Sequence, residues 1–256
     1  MYRCVIPSLR DLRLVDLGCL ILHEAHDEGR LIQLRERMKA EGEQRNPVIV
    51  SPHEDRYLVL DGAHRVRALE ELGTTLALVQ AIEPPEKAEG WGHLLGGMQT
   101  SKLGDIEGIE ASTEPGQNSL AEVETADGTI FLSPTERGLE GLVRALWSLQ
   151  SLYPKGAVVR RVEPQGAASV SEGEALIRYR GFTPEELAAV VDSGTVLPAG
   201  ITRFRVSERV LGVNYPLENM SGGDVDAQND KLEEYVRQRW NQGRVRLYGE
   251  PVVLFE

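Results

Sequence analysis

Hydrophobic and polar residues follow two different periods along the first third of the chain. From residue 25 to residue 42, apolar side chains recur every three or four positions among charged ones, which predicts an amphipathic helix beginning just after Glu24. The predicted elements are a helix over 25–42, strands over 47–52 and 56–60, a helix ending at Gly73 and a strand over 76–82. This order of helix, strand, strand, helix and strand is typical of a compact α/β unit.

The second half of the chain predicts a mixed set of helices and strands. Residues 121–125 and 129–133 flank an Ala-Asp-Gly turn, which is the signature of a hairpin. Ser133 and Thr183 each precede a proline and stand three residues before a glutamate, a pattern that predicts a helix N-cap at both. These caps predict a helix through Leu152 and a short helix that reaches Val191 and stops at Gly194. The remaining predictions are a final amphipathic helix over about 227–241 and strands over 157–162, 175–179 and 201–215.

A stretch rich in glycine, serine, threonine and charged residues separates the two halves. Residues 96–118 show little periodicity, as expected of a linker or mobile loop. We therefore expect an α+β protein with an α/β-like N-terminal domain over 1–95, the linker over 96–118, and a mixed α+β C-terminal domain over 119–256.

Composition excludes several classes of protein. The 256 residues are 41% hydrophobic, enough to bury a core, and 40 acidic against 28 basic residues give a net charge of −12. Neither half of the chain is basic, so we do not expect duplex DNA as a partner. Cys4 and Cys19 make neither a disulfide framework nor a zinc site, and no run approaches the roughly 18 apolar residues of a spanning helix. These features predict a cytoplasmic protein that is not associated with membranes.

The segment from Asp61 to Arg65 carries the strongest chemical signal. A predicted strand delivers Asp61 to a turn at Gly62 and a helix starts at once, so the free amides of Ala63, His64 and Arg65 face one point. These amides and the side-chain donors of His64 and Arg65 suit phosphate oxygens, while Asp61 is placed to hold a magnesium ion or accept a proton. The pattern alone leaves open that Asp61 only caps the helix and that Arg65 is a surface residue.

With the strand before it and the Ala-Leu-Glu-Glu-Leu-Gly helix after it, this segment resembles the D-G-x-H-R signature of the ParB/sulfiredoxin superfamily. In that superfamily the motif binds nucleotide phosphates, which implies a ParB/sulfiredoxin-like fold for the N-terminal domain. Sulfiredoxins carry a catalytic cysteine just before the His-Arg pair, where this chain has Ala63. Repair of sulfinic acids is therefore excluded.

Four further segments resemble one branch of that superfamily, the free L-serine kinases and their relatives in siderophore and phosphoserine-dependent pathways. They are Leu22-His23-Glu24, Gly90-Trp91-Gly92-His93-Leu94, residues 197–204 (LPAGITRF) and residues 209–217 (RVLGVNYPL). Enzymes of this branch make O-phospho-L-serine from serine and ATP or ADP. The resemblance spans roughly residues 20–95 and 175–220, and it departs from the family pattern at Ala63 and Phe204, where histidines are common.

The resemblance implies a role for each matching residue. Glu24 is the base that takes the proton of the serine hydroxyl, and Asp61 is the second essential carboxylate and a magnesium ligand. Arg203 binds the substrate carboxylate. The residues implied in binding are Gly62, Ala63, His64 and Arg65 for the nucleotide phosphates, and Thr202, Arg203, Trp91 and His93 for the amino acid. On the residues alone, a favourable charge at a helix N-terminus explains Glu24 better than a catalytic role does, and Arg203 can also be explained as a solvent-facing strand residue.

The expected activity is transfer of a phosphoryl group from ATP or ADP to free L-serine by a magnesium-dependent kinase, with both predicted domains contributing to the active site. One alternative is a ParB-like nucleotide-binding transcriptional regulator, which the lack of a basic helix-turn-helix after the phosphate motif disfavours. The other is a catalytically inactive metabolite sensor, which Ala63 and Phe204 keep open and the presence of Glu24 and Asp61 disfavours. Neither the choice between ATP and ADP nor the oligomeric state is predicted.

Overall fold

A computed structural model describes Leu9 and residues 11–249 of the chain, so that Cys4 lies outside the described residues. The elements up to residue 134 are β1 (Leu12–Asp16), β2 (Leu20–Leu22), α1 (Glu28–Glu41), β3 (Glu43–Gln44), β4 (Val48–His53), β5 (Arg56–Asp61), α2 (Ala63–Glu71), β6 (Leu76–Ala81), β7 (Glu89–Gly90), β8 (Gly92–Gly96), β9 (Ile109–Ser112), β10 (Ala121–Thr125) and β11 (Gly128–Pro134). Those that follow are α3 (Leu139–Ser151), β12 (Arg160–Val162), β13 (Glu174–Tyr179), α4 (Pro184–Asp192), β14 (Thr202–Arg203), β15 (Tyr215–Pro216) and α5 (Val225–Asn241). None of the helices among these residues is both long and apolar enough to cross a membrane.

The chain forms two compact units, and neither is continuous in sequence. Of the described residues, the first unit takes those up to 21, 28–83 and 206–249, and the second takes 22–27 and 84–205. These units differ from the domains expected over 1–95, 96–118 and 119–256. The difference has a physical cause: a change in composition marks a loop, whereas long-range strand and helix pairing decides which segments share a core.

The first unit is built on a five-stranded sheet in the order β1-β6-β4-β5-β2. Strand β6 pairs antiparallel with β1 and parallel with β4, and β4 pairs antiparallel with β5. The helix, strand, strand, helix and strand predicted for residues 25–82 are all present as α1, β4, β5, α2 and β6. The helix predicted over 227–241 is present as α5. The pattern did not predict β1, which packs against α5. The Leu14 amide donates to Asn229 Oδ1, and Asn229 Nδ2 donates to the Leu14 carbonyl oxygen.

Helix α1 begins later than the pattern predicts. It starts at Glu28 rather than just after Glu24, so Glu24 lies outside its first turn. Leu31 and Met38 are buried as the helical period requires. The interpretation of Glu24 as a helix-end charge is therefore wrong.

The second unit is built on a six-stranded antiparallel sheet in the order β12-β8-β13-β10-β11-β9. The predicted hairpin is present as β10 and β11, which pair from Ala121 opposite Leu132 to Thr125 opposite Gly128. The predicted N-cap at Thr183 is also confirmed, because its hydroxyl accepts a hydrogen bond from the Glu186 amide and the Glu186 carboxylate accepts one from the Thr183 amide. With its α1–α2 and α3–α4 helices beside these sheets, the protein belongs to the expected α+β class.

Three local predictions for the second half are wrong, each because tertiary pairing overrides a local signal. Ser133 does not cap a helix: β11 continues through Pro134 by pairing with β9, and α3 begins at Leu139. The segment 96–118 is not a free linker, because it contains β9 and a turn of 3₁₀ helix at Thr100–Asp105. The long strand over 201–215 is reduced to the two-residue strands β14 and β15.

The glycine before Trp91 marks a close approach of two backbones in the second unit. A Cβ added at Gly90 would lie 1.9 Å from the Tyr179 carbonyl oxygen and 2.5 Å from that of Arg180, distances that no side chain tolerates. We expect Gly90→Ala to lower the free energy of unfolding by about 1–3 kcal/mol or more, measured by thermal or denaturant unfolding. Gly104→Ala is the matched control, because a Cβ there meets nothing within 4 Å. Equal stability of the two variants would contradict this explanation of the Gly-Trp-Gly motif.

Candidate active site

The backbone around Glu24 is fixed by a short parallel bridge to Leu197. The Ala25 amide donates to the Leu197 carbonyl oxygen at 2.8 Å, and the Leu197 amide donates to the His23 carbonyl oxygen at 2.8 Å. These two bonds hold the Leu22-His23-Glu24 motif beside the second motif, residues 197–204. Both motifs belong to the second unit.

The Glu24 carboxylate is held by three hydrogen-bond donors from this second motif. Oε1 accepts from the Thr202 amide at 2.6 Å and from the Thr202 hydroxyl at 2.5 Å, and Oε2 accepts from the Gly200 amide at 3.0 Å. An ionised carboxylate offers about four acceptor sites. Three donors therefore orient Glu24 and leave one site, on Oε2, for a further hydroxyl group.

Thr202 links Glu24 to a buried histidine. Because the Thr202 hydroxyl donates to Glu24, it accepts from Nε2–H of His23, 2.8 Å away. The His23 ring packs edge-on against Phe204, with ring centroids 5.4 Å apart. Thr202 is only 7% exposed. Its hydroxyl is thus engaged with the carboxylate, and a contact of Thr202 with the amino acid stays a prediction.

Arg203 and Trp91 lie together on the two-stranded ladder of β7 and β14. The Arg203 guanidinium lies 5.1 Å from the centre of the Trp91 ring and forms ion pairs with Glu89 at 2.8 Å and Glu163 at 2.7 Å. Hydrogen bonds from Arg205 and Arg203 hold the pKa of Glu89 below its usual value. Arg203 is therefore already paired with two carboxylates, and its contact with a substrate carboxylate stays a prediction.

His93 lies in β8 and is 3% exposed. Its Nε2 is 2.8 Å from the carbonyl oxygen of Gly200, the residue whose amide binds Glu24. The structure thus brings His23, His93 and Thr202 together around Glu24. A direct contact of His93 with substrate also stays a prediction.

The Asp61 turn belongs to the first unit and has the conformation that the sequence predicts. Gly62 takes φ = 117°, in the left-handed region, and is the N-cap residue of α2 with no side-chain cap. The N-cap position is therefore taken by Gly62, and Asp61 precedes it. The Arg65 guanidinium folds back over the turn. It lies so close that a Cβ added to Gly62 would be 2.9 Å from its Nε.

Two arginines converge on the Asp61 carboxylate. Oδ1 lies 3.5 Å from Arg65 Nη2, and Oδ2 lies 2.6 Å from Arg209 Nη1. Arg209 is the first residue of the family-like segment 209–217, and the sequence predicted no role for it. The motif singles out Arg209, but its ion pair with Asp61 could not be predicted because the two residues are 148 positions apart.

The residues around Asp61 suit a metal ion that arrives with a nucleotide. Among residues 11–249, no group of three or more histidine, cysteine, aspartate or glutamate side chains is arranged to hold a metal. Mg²⁺ at phosphate-transfer sites is commonly bound by one or two carboxylates together with phosphate oxygens and water. One carboxylate beside the free amides at the start of α2 fits that donor set.

Comparison with known proteins shows similarity along nearly the whole chain, although no protein-family model matches it. The ATP-dependent L-serine kinase SbnI of Staphylococcus aureus is 27% identical over 249 residues, which cover 96% of this chain and 97% of that protein. An ATP-dependent L-serine kinase of Staphylothermus marinus is 45% identical over 62 residues, 23% of this chain and 25% of that protein.

Solved structures share the fold. A C-terminally truncated SbnI from Staphylococcus aureus superposes with a TM-score of 0.78 at 24% identity, covering 91% of this chain and 99% of that one. A free serine kinase in complex with AMP superposes with a TM-score of 0.63 at 18% identity, covering 82% and 93%. A variant of a free serine kinase in complex with ADP gives a TM-score of 0.64. The resemblance to the free L-serine kinases that the motifs predict is confirmed.

Proposed function

We propose that this protein is a free L-serine kinase that transfers the terminal phosphoryl group of ATP or ADP to the hydroxyl of L-serine, giving O-phospho-L-serine. The observation that carries the proposal is the Glu24 carboxylate, oriented by Gly200 and Thr202 with one acceptor site left on Oε2. The similarity to L-serine kinases supports the choice of substrate.

Glu24 acts as the general base. The serine hydroxyl donates its hydrogen bond to Oε2, and Glu24 takes that proton as the serine oxygen forms its bond to the terminal phosphorus. The bond from that phosphorus to the bridging oxygen breaks, and the nucleotide leaves with one phosphate fewer. The fixed carboxylate removes the need to reorient a flexible side chain at this step.

The Asp61 turn binds the phosphates in this proposal. The amides of Ala63, His64 and Arg65 at the start of α2 and the Arg65 guanidinium are donors suited to phosphate oxygens. A magnesium ion bound by Asp61 and the phosphates would offset negative charge on the transferred group. Asp61 would hold that ion with the carboxylate that now pairs with Arg65 and Arg209, and both guanidinium groups are donors suited to phosphate oxygens.

The amino acid is held by residues of the second unit. Trp91 presents an aromatic face beside Arg203, and Arg203 binds the serine carboxylate by exchanging one of its partners, Glu89 or the more exposed Glu163. Thr202 contributes by fixing Glu24. We place the reaction in the cytoplasm, where its nucleotide and amino-acid substrates occur, and we propose no role for DNA.

The direct test is to identify the product. The protein is incubated with magnesium, with ATP or ADP, and with serine, threonine or homoserine in turn, and products are followed by phosphorus NMR and mass spectrometry. We expect O-phospho-L-serine with at least one nucleotide, and less product with the other two amino acids. Nucleotide binding with no phosphorylated amino acid would overturn the proposal and favour a metabolite sensor.

A further inference from the structure

A buried chain of hydrogen bonds lies behind Glu24 in the second unit. His93 Nδ1 is 2.9 Å from the Tyr153 hydroxyl, which is 2.7 Å from the Tyr179 hydroxyl. The His93 ring also packs edge-on against both tyrosine rings, with centroids 5.9 Å and 5.2 Å away. The proposed mechanism does not use any of these three side chains.

The direction of each hydrogen bond follows from chemistry. The Gly200 carbonyl oxygen only accepts, so His93 Nε2 carries a proton and donates to it. In the neutral imidazole Nδ1 then accepts from Tyr153, and Tyr153 accepts from Tyr179. Burial raises the pKa of both tyrosines, so their hydroxyl groups keep their protons at ordinary pH.

The chain ends on Gly200, the residue whose amide orients Glu24. Gly200 receives the His93 hydrogen bond at its carbonyl oxygen and gives one from its amide to Glu24 Oε2. Two side chains of α3 hold the same loop at neighbouring carbonyl groups: Gln150 Nε2 donates to Ala199 and Trp147 Nε1 donates to Val196, each at 3.0 Å. Gln150 thus holds the carbonyl of the peptide group whose N–H binds Glu24, and His93 holds the carbonyl on the other side of Gly200. The two side chains fix the peptide groups before and after the same residue.

We infer that His93, supported by Tyr153, is a positioning residue that fixes Gly200 at its carbonyl oxygen and, through the amide of the same residue, the carboxylate of Glu24. The inference rests on the proposed kinase function. It replaces the direct substrate contact that the motif resemblance implies for His93 with an indirect role. The burial of His93, which is 3% exposed, supports that replacement, because a side chain so enclosed has little surface to offer a substrate.

The test compares steady-state kinetics of Tyr153→Phe, His93→Ala and His93→Gln with those of the unaltered chain. We expect His93→Ala to lower kcat about 10- to 100-fold, the scale of a small misplacement of a catalytic group, with little change in the KM for serine or the Kd for ADP. His93→Gln retains an N–H donor and should recover part of the loss. Tyr153→Phe should lower kcat less, and combining it with His93→Ala should add nothing further.

Tyr215→Phe is the matched control. The Tyr215 hydroxyl is buried without a hydrogen-bond partner among the described residues, and it lies in the other unit, so its removal should leave kcat unchanged. Thermal unfolding is measured for every variant. If His93→Ala does not fold, the inference is tested with Tyr153→Phe and His93→Gln alone. These variants remove fewer atoms from the core, since the first loses only a hydroxyl group and the second keeps an N–H donor.

The outcomes separate this inference from the proposed function. A raised KM for serine at unchanged kcat would make His93 a substrate contact, and unchanged kinetics in all three variants would remove it from the site; either result overturns the inference. If the unaltered chain forms no O-phospho-L-serine, the kinase proposal itself fails, whatever the variants do.

Discussion

We expect Glu24→Gln to lower the turnover number for O-phospho-L-serine formation by at least about 100-fold, the scale on which general bases contribute. Glutamine keeps the size of the side chain, but its amide takes no proton from a serine hydroxyl. Its nitrogen also cannot accept a hydrogen bond from Gly200 or Thr202, so one of the three donors now on the carboxylate loses its partner. Turnover is measured with saturating serine and nucleotide.

Two further measurements make this prediction specific to the base. Nucleotide affinity, measured by calorimetry, should change little in Glu24→Gln, which also shows that the variant is folded. Glu186→Gln is the matched control, because Glu186 likewise accepts a hydrogen bond from a backbone amide and belongs to the same unit, but it caps α4. Near-normal turnover in both Glu24→Gln and Glu24→Ala would remove Glu24 from the mechanism.

Elements whose signals are local could be predicted from the sequence. The Asp61 turn needs a strand, a glycine and a helix start within a few residues, and the structure has this arrangement. The capping box at Thr183 likewise depends on residues three positions apart. Where a local signal competes with strand pairing it fails, as at Ser133, which pairs with Glu110 instead of starting a helix.

The setting of Glu24 could not be predicted, because its partners are distant in sequence. Gly200 and Thr202 are 176 and 178 positions away, and no periodicity or composition links them to Glu24. The motif resemblance selected all three residues, but it assigned Thr202 to the substrate and did not relate it to the carboxylate. The discontinuity of the two units could not be predicted either. Residues 22–27 belong to the second unit although the segments on both sides belong to the first, and six residues are too few to show a periodicity or a change in composition.

The phosphate-binding role of the Asp61 turn makes the second strong prediction. We expect Arg65→Ala to weaken ADP binding about 10- to 100-fold, because a charge-assisted hydrogen bond contributes about 1.5–3 kcal/mol and each 1.4 kcal/mol is a factor of ten in Kd. The Arg65 side chain is 19% exposed and folds over Gly62, so its removal takes a guanidinium group from the turn itself. Kd is measured by calorimetry with magnesium present.

Arg67→Ala is the control for that experiment, because it removes the same kind of side chain from the same helix without touching the turn. Arg67 is 45% exposed and pairs with Glu70 at 2.7 Å, an ion pair of the kind that contributes little to stability. Its loss should leave both ADP affinity and thermal stability nearly unchanged. If Arg65→Ala and Arg67→Ala bind ADP equally well, the affinity of the unaltered chain does not depend on the guanidinium at the turn, and the phosphates bind elsewhere. If only Arg65→Ala binds weakly while both variants unfold at similar temperatures, the loss is one of recognition and not of folding.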